Sequence, residues 1–190
     1  MTICFATNNL NKLREIRQLL GDQFDIKSLS DIGCEEELPE TGDTLEAISR
    51  VKARYVFDNY HVNCFADDTG LEVAYLNGDP GVYTARYAGE ERDNNKNISL
   101  LLKNLDGIEH RFAQFKTIIT LIRDGKVDQF DGVVGGDITH ELHGEGGFGY
   151  DPIFRPTGYE RTFAEMAPKE KNAISHRGLA IAKLVDFLKK

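Results

Sequence analysis

Residues 112–138 read FAQFKTIITLIRDGKVDQFDGVVGGDI, and this stretch decides the fold. Phe112 to Ile122 alternates as a half-buried strand does. Asp124-Gly125 supplies a two-residue hairpin turn, and Lys126 to Ile138 returns as the partner strand. Outward from the hairpin, helical and strand patterns mix. Upstream, Ile3 to Ala6 is a short apolar strand ended by the turn Thr7-Asn8-Asn9. Leu13, Ile16, Leu19 and Leu20 then recur at helical spacing until Gly21 stops the helix. A second helix opens at Asp43 or Thr44, with Glu46 placed for a capping box, and runs to about Asp58. Val62–Ala66 and Leu71–Leu76 read as two strands, and Asp93 caps a third helix carrying Ile98, Leu101, Leu102 and Leu105. Downstream, Gly144 to Gly149 is a glycine-rich loop. From Ser175 an amphipathic helix runs to the end, with Ala182, Val185 and Leu188 inward and Lys189-Lys190 where cations suit the helix dipole. Helices interspersed with strands around an antiparallel hairpin imply an α/β domain with a mixed sheet.

The 190 residues are enough for one large domain or two small lobes with a substantial core. An apolar fraction of 41% and a charged fraction of 28% are ordinary for a soluble protein. The net charge of −8 argues against a broad nucleic-acid-binding face. It leaves room for an anionic small substrate, because a few lysines and a metal can reverse the sign locally. Cys4, Cys34 and Cys64 are odd in number and lack CxxC spacing, so they read as buried reduced thiols. Met1-Thr2-Ile3-Cys4 meets polar Thr7-Asn8-Asn9 too soon for a signal peptide, and no apolar run approaches membrane-spanning length. The expectation is a cytoplasmic protein.

Chemistry concentrates in a few segments. In Phe65-Ala66-Asp67-Asp68-Thr69-Gly70-Leu71 an apolar strand delivers two carboxylates and then breaks at Thr-Gly. That is a natural position for a metal ligand or general base, and also for a plain polar turn. Adjacent strand residues point to opposite faces, so one of the two carboxylates faces a site. Thr7-Asn8-Asn9-Leu10-Asn11-Lys12 leads a strand into a helix N-terminus, where free N–H groups favour phosphate and Lys12 adds a charge. It lacks the glycines of a Walker A loop, and an ordinary helix start with a solvated lysine is equally compatible. Lys52 falls on the apolar stripe of Leu45, Ile48, Tyr55 and Val56, where it either snorkels outward or meets an anion. Glu40 ends an acidic loop ahead of the same helix. One of that loop's glutamates could complete a Mg2+ site with Asp67 or Asp68.

Gly144-Glu145-Gly146-Gly147-Phe148-Gly149 matches the dinucleotide fingerprint literally, but Pro152 opposes the helix that fingerprint must open. A loop presenting Phe148, Tyr150 and Asp151 suits a flat heteroaromatic ligand, or else is structural. Ser175-His176-Arg177 starts the last helix with Lys169 and Lys171 on its approach. This crowd of cations before a helix start points to an anion or carbonyl-oxygen ligand.

Taken together, Thr7-Asn8-Asn9-(x)2-Lys12, Phe65 to Leu71, Pro80-Gly81-Val82-Tyr83-(x)2-Arg86-Tyr87, Gly147-Phe148-Gly149-Tyr150-Asp151-Pro152-(x)-Phe154 and Lys171-Asn172-(x)-Ile174-Ser175-His176-Arg177 closely resemble the inosine triphosphate pyrophosphatase family. The five motifs are co-linear and span essentially the whole chain. Asn8-Asn9 stands where many members have Gly-Asn, and Thr69 where many have Ser. The resemblance implies a long twisted mixed sheet flanked by helices, in two lobes about a nucleotide cleft, with residues 1–190 forming one pyrophosphatase domain. It implies Mg2+-dependent hydrolysis of non-standard purine nucleoside triphosphates (ITP, dITP, XTP) to monophosphate and pyrophosphate, in a homodimer. By the same resemblance Thr7, Asn8, Asn9, Leu10, Asn11 and Lys12 bind the triphosphate with help from Lys52. Glu40 and Asp68 hold Mg2+, and Asp68 is the base for the attacking water. Thr69 adjoins the nucleotide; Phe148, Gly149, Tyr150 and Asp151 take the base; Lys171, His176 and Arg177 make the remaining contacts. Two alternatives are a Maf-type nucleotide pyrophosphatase, against which the Gly-Phe-Gly-Tyr-Asp and Ser-His-Arg segments argue, and a non-catalytic nucleotide sensor.

Overall fold

The computed structural model describes residues 2–189, so Met1 and Lys190, the latter one of the two cations expected at the final helix end, lie outside it. In chain order the strands are β1 (Thr2–Phe5), β2 (Asp25–Lys27), β3 (Cys64–Val73), β4 (Pro80–Gly81), β5 (Phe112–Arg123), β6 (Lys126–Ile138) and β7 (Phe154–Pro156). The helices are α1 (Leu10–Leu20), α2 (Leu45–Tyr60), α3 (Asn94–Asn104), α4 (Pro168–Ile174) and α5 (His176–Leu188). The seven strands form one mixed sheet in the order β2-β1-β3-β5-β6-β7, with β4 on β3. β1 runs parallel to both β2 and β3, placing Cys4 opposite Cys64 and Phe5 opposite Phe65, whereas β4 and β7 pair antiparallel with β3 and β6. The hairpin turn falls at Asp124-Gly125, both at positive φ (52° and 78°) as a tight hairpin turn requires.

The chain divides into two compact units. The first comprises Met1–Asp68, Thr117–Gly132 and Arg177–Lys190, the second Thr69–Lys116 and Val133–His176. In the first unit the period-2 alternation of strands sorts side chains into two clusters. Ile3, Phe5, Phe65, Ile119 and Leu121 gather with Leu13, Ile16 and Leu20 of α1 and Ala180, Ile181 and Leu184 of α5. Their neighbours Cys4, Ala6, Cys64, Ala66 and Ile122 gather with Ala53 and Val56 of α2 and with Leu29, Cys34 and Leu38. The second unit has its own core of α3, β5 and β7 residues around Phe115, Phe154 and Phe163. There the buried Arg111 is satisfied by the carbonyls of Leu105, Ile138 and Thr139 at 2.7–2.9 Å.

Four sequence expectations need correction. β3 does not break at Thr69-Gly70: the β-branched Thr69 and the buried Gly70 stay extended, and the strand runs on to Val73, where β4 pairs with it. The supposed strand end at Ala74–Leu76 is a 3-10 turn. Thr44 caps α2 by accepting the Ala47 N–H, which makes Ala47 rather than Glu46 the third helical residue, so no capping box forms. On α5 the inward stripe is Ala180, Ile181 and Leu184; Ala182 is exposed, and Val185 and Leu188 pack only at its margin. Tertiary packing also builds α4, which no local periodicity announced.

Candidate active site

Alternation along β3 carries straight through to its two carboxylates. Asp67 has the parity of Phe65 and meets α1 and α5; Asp68 has the parity of Ala66 and meets α2. Asp67, only 1% exposed, accepts from Lys12 Nζ on α1 at 3.1 Å and from Arg177 Nε on α5 at 3.1 Å. Arg177 Nη1 also pairs with Glu15 of α1. Asp68, 9% exposed, accepts from Lys52 Nζ on α2 at 3.0 Å, and Glu40 Oε1 stands 3.7 Å from the same ammonium. Both carboxylates therefore engage cations, one on each face. The anion that the buried Lys52 requires comes from the protein itself.

These environments separate the two acids electrostatically. Burial alone would raise Asp67, but Lys12, Arg177 and Lys52 outweigh it and hold the carboxyl far below the usual range. At Asp68 burial prevails over the pull of Lys52 and Lys12, and its pKa rises. Burial depresses Lys12 more than Asp67 restores it. For Lys52, Asp68, Asp67 and Glu40 together overcome burial, so its charge is held firmly. Asp67 is thus a fixed anion, and Asp68 is the better proton acceptor of the pair.

The helix start beside them is largely self-built. Asn9 caps α1, its Oδ1 accepting from Asn11 N at 3.0 Å and Lys12 N at 3.2 Å, and Thr7 Oγ1 accepts from Asn9 N at 3.1 Å. Leu10 is 74% exposed. The Asn8 side chain turns away from the helix, toward the backbone of the Glu36–Leu38 segment.

The remaining expected residues lie in the second unit, apart from Arg177. Asp151 Oδ2 accepts from Lys171 Nζ at 2.7 Å and from Phe148 N at 2.9 Å, folding the glycine loop over a buried ion pair. Gly147, at φ 71°, is required there, because a Cβ would lie 2.0 Å from Asp151 Oδ2. Lys171 Nζ sits 4.9 Å from the Phe148 ring centroid, a cation–π arrangement. Tyr150 is a core residue whose hydroxyl donates to the Thr84 carbonyl at 2.8 Å. Of the loop's aromatics, Phe148 is the half-buried one, as are Gly149 and Thr69. His176 is buried, stacked on Phe115 at 4.6 Å and 21°.

Two contributors escaped sequence reading. Glu15 lies three residues after Lys12, a spacing that puts both on one helical face, so its partnership with Arg177 had a local signal. Phe115 read as plain core and gave no sign of the ring it supports.

Among the described residues no three His, Cys, Asp or Glu side chains cluster as a metal cage. The pair Glu40 and Asp68 nevertheless converges on one ammonium, and two hard carboxylates are what Mg2+ asks of a protein when water and phosphate complete its shell. Lys12, Lys52 and Arg177 are interleaved with Asp67, Asp68, Glu15 and Glu40. A divalent cation adds positive charge to such a cluster and makes it more attractive to polyphosphate. The donor set fits Mg2+.

The chain is similar to known proteins over nearly its whole length. The Ham1 family model matches residues 3–187. The dITP/XTP pyrophosphatase of Flavobacterium psychrophilum is 52% identical over 189 residues, covering 100% of both chains. That of Flavobacterium johnsoniae is 50% identical over 188 residues, 99% of this chain and 98% of its own. The structure of the Staphylococcus aureus Ham1 protein superposes with a TM-score of 0.89 at 36% identity, over 100% of this chain and 98% of the other. A HAM1 protein from Coxiella burnetii gives 0.90 at 36% identity, over the same shares.

Proposed function

The chain belongs to the Ham1 family, and from that premise we propose that it hydrolyses non-standard purine nucleoside triphosphates, ITP, dITP and XTP, to the monophosphate and pyrophosphate. The observation that carries the reading is the pair of adjacent carboxylates on β3, each held by a different lysine, the half-buried Lys12 of α1 and the buried Lys52 of α2. Two carboxylates converging on Lys52, one of them with its pKa raised by burial, suit phosphoanhydride hydrolysis better than binding alone.

In this reading residues 1–190 act as one pyrophosphatase domain, cytoplasmic and homodimeric. The turn from Thr7 to Lys12 and the ammonium of Lys52 receive the triphosphate. Glu40 and Asp68 would hold Mg2+, which when bound would neutralise phosphate charge and supply Lewis-acid activation for the hydrolysis. Asp68 takes the proton of the attacking water. Lys12 and Lys52 then trade their carboxylate partners for oxygens of the departing pyrophosphate. Thr69 adjoins the nucleotide. Phe148 stacks on the base while Gly149, Tyr150 and Asp151 shape its seat, and Lys171, His176 and Arg177 complete the recognition of a 6-oxo purine. A donor aimed at a 6-oxo group is left unpaired by adenine, which discriminates by ~10⁴-fold in favourable cases.

The test is product analysis on ITP, XTP, GTP, ATP and dUTP with Mg2+, scoring pyrophosphate separately from orthophosphate. Pyrophosphate from ITP and XTP, with little from ATP, is expected. Orthophosphate would move the cut to the terminal phosphate and overturn the mechanism. Absence of any turnover would leave a nucleotide sensor.

A further inference from the structure

One side chain ties the turn at the start of α1 to the segment that leads to Glu40. Asn8 Nδ2 donates to the Glu36 carbonyl at 3.1 Å, and Asn8 Oδ1 accepts the Leu38 N–H at 2.9 Å. The amide thus gives one N–H and its oxygen to one stretch of backbone, much as a neighbouring strand would. The same stretch is pinned from the opposite direction. Glu36 Oε1 accepts from the hydroxyls of Tyr55 at 2.9 Å and Tyr60 at 2.6 Å, both on α2. Leu38 is buried in the cluster that contains Val56, and two residues further on Glu40 reaches Lys52 of that helix.

We propose that Asn8 is a positioning residue for Glu40, acting on the metal-holding carboxylate through the Glu36–Leu38 backbone and not through side-chain contact with substrate phosphate. These two bonds direct the amide toward the loop and hold the side chain against the Glu36–Leu38 backbone. The segment from Leu38 to Glu40 carries a proline, Pro39, so fixing Leu38 leaves few backbone rotations before Glu40. Outer hydrogen bonds that orient metal ligands are commonly worth about 10–100-fold in metal affinity or activity. The inference rests on the reading of Glu40 and Asp68 as the metal-holding pair.

Asn8 is exposed, so Asn8→Ala and Asn8→Gly should fold with a normal melting profile. Three readouts separate the possibilities. Amide exchange reads the clamp: the Leu38 N–H should exchange about tenfold faster or more in both variants, the order expected when an exposed segment loses its anchoring bonds. Mn2+ titration of the nucleotide-free protein reads the carboxylates: affinity should fall about 10–100-fold. Steady-state kinetics should show half-saturation by Mg2+ rising by a similar factor, with kcat recovering at high Mg2+. Unchanged Leu38 exchange overturns the clamp. Faster exchange with unchanged Mn2+ affinity and a raised nucleotide KM overturns positioning and restores Asn8 as a phosphate contact. A wild-type protein that binds no Mn2+ and turns over without metal overturns the reading of Glu40 beneath the inference, and the inference with it, whatever the exchange result.

Discussion

Asp67 and Asp68 are neighbours with opposite assignments, and substitution should expose the difference. Asp67 is locked between Lys12 and Arg177, and Arg177, 2% exposed, is in turn shared with Glu15. Removing one member of a buried ion network strands the others, at a cost of roughly 3–5 kcal/mol. Arg177→Met, which keeps the bulk and drops the charge, should lower stability by about that amount in urea unfolding. Arg177→Met combined with Glu15→Leu should recover part of it, because one stranded carboxylate is gone. A single variant within about 0.5 kcal/mol of wild type would show the network to be energetically idle. Asp68→Asn is the contrasting case. Asparagine keeps the shape but takes from the buried Lys52 its nearest carboxylate, so the urea midpoint should fall as well. Measured well below the unfolding transition, kcat should fall ~10²–10⁴-fold through loss of the base. Normal turnover in that variant would end the assignment of Asp68.

β1 and β3 make a parallel pair, and their register sets Cys4 opposite Cys64 on the face that packs against α2. Burial pushes both thiols up to about 12 from an ordinary 9.0. The folded state therefore holds its thiol protons to higher pH than the unfolded chain does. Their contribution to stability is complete below pH 9 and drains away between about 9 and 12. Near pH 10 the loss should be about 1 kcal/mol per thiol. Urea midpoints should fall over that range, and less steeply for Cys64→Ala; identical slopes would remove the thiols from the account. Thiol reagents should label Cys4 and Cys64 slowly at neutral pH until urea opens the fold. The same strands show what was legible in the sequence. The hairpin from Phe112 to Ile138, the caps at Asn9, Thr44 and Asp93, and the inward lysine of α2 follow from spacing and turn chemistry that are local. The uninterrupted run of β3 through Thr69-Gly70, the short strands β2, β4 and β7, and the helix α4 depend on partners distant in sequence, so local pattern alone could not supply them. For the candidate site, motif order picked out the residues proposed for it, but that Arg177 joins Glu15 and Asp67 emerges only when α1, β3 and α5 are side by side.

The protein as a whole carries a net charge of −8, a poor starting point for attracting a nucleoside triphosphate. Long-range repulsion must be overcome by a local reversal of sign, and Lys12, Lys52 and Arg177 are each already committed to carboxylates. On the proposed reading, a divalent cation held by Glu40 and Asp68 would supply the reversal. Metal should therefore control binding as well as chemistry, with a salt dependence that changes direction. With Mg2+ present, a non-hydrolysable ITP analogue should bind more weakly as NaCl rises from about 0.05 to about 0.3 M, since screening weakens an attraction. In EDTA the analogue should bind at least ~10-fold more weakly, as expected when phosphate loses its strongest opposite charge, and added salt should now help by screening a repulsion. Calorimetric titration under the four conditions reads both signs directly. Equal affinity in EDTA and Mg2+ would mean that the lysines and Arg177 suffice without the ion, and would take Glu40 out of substrate capture altogether.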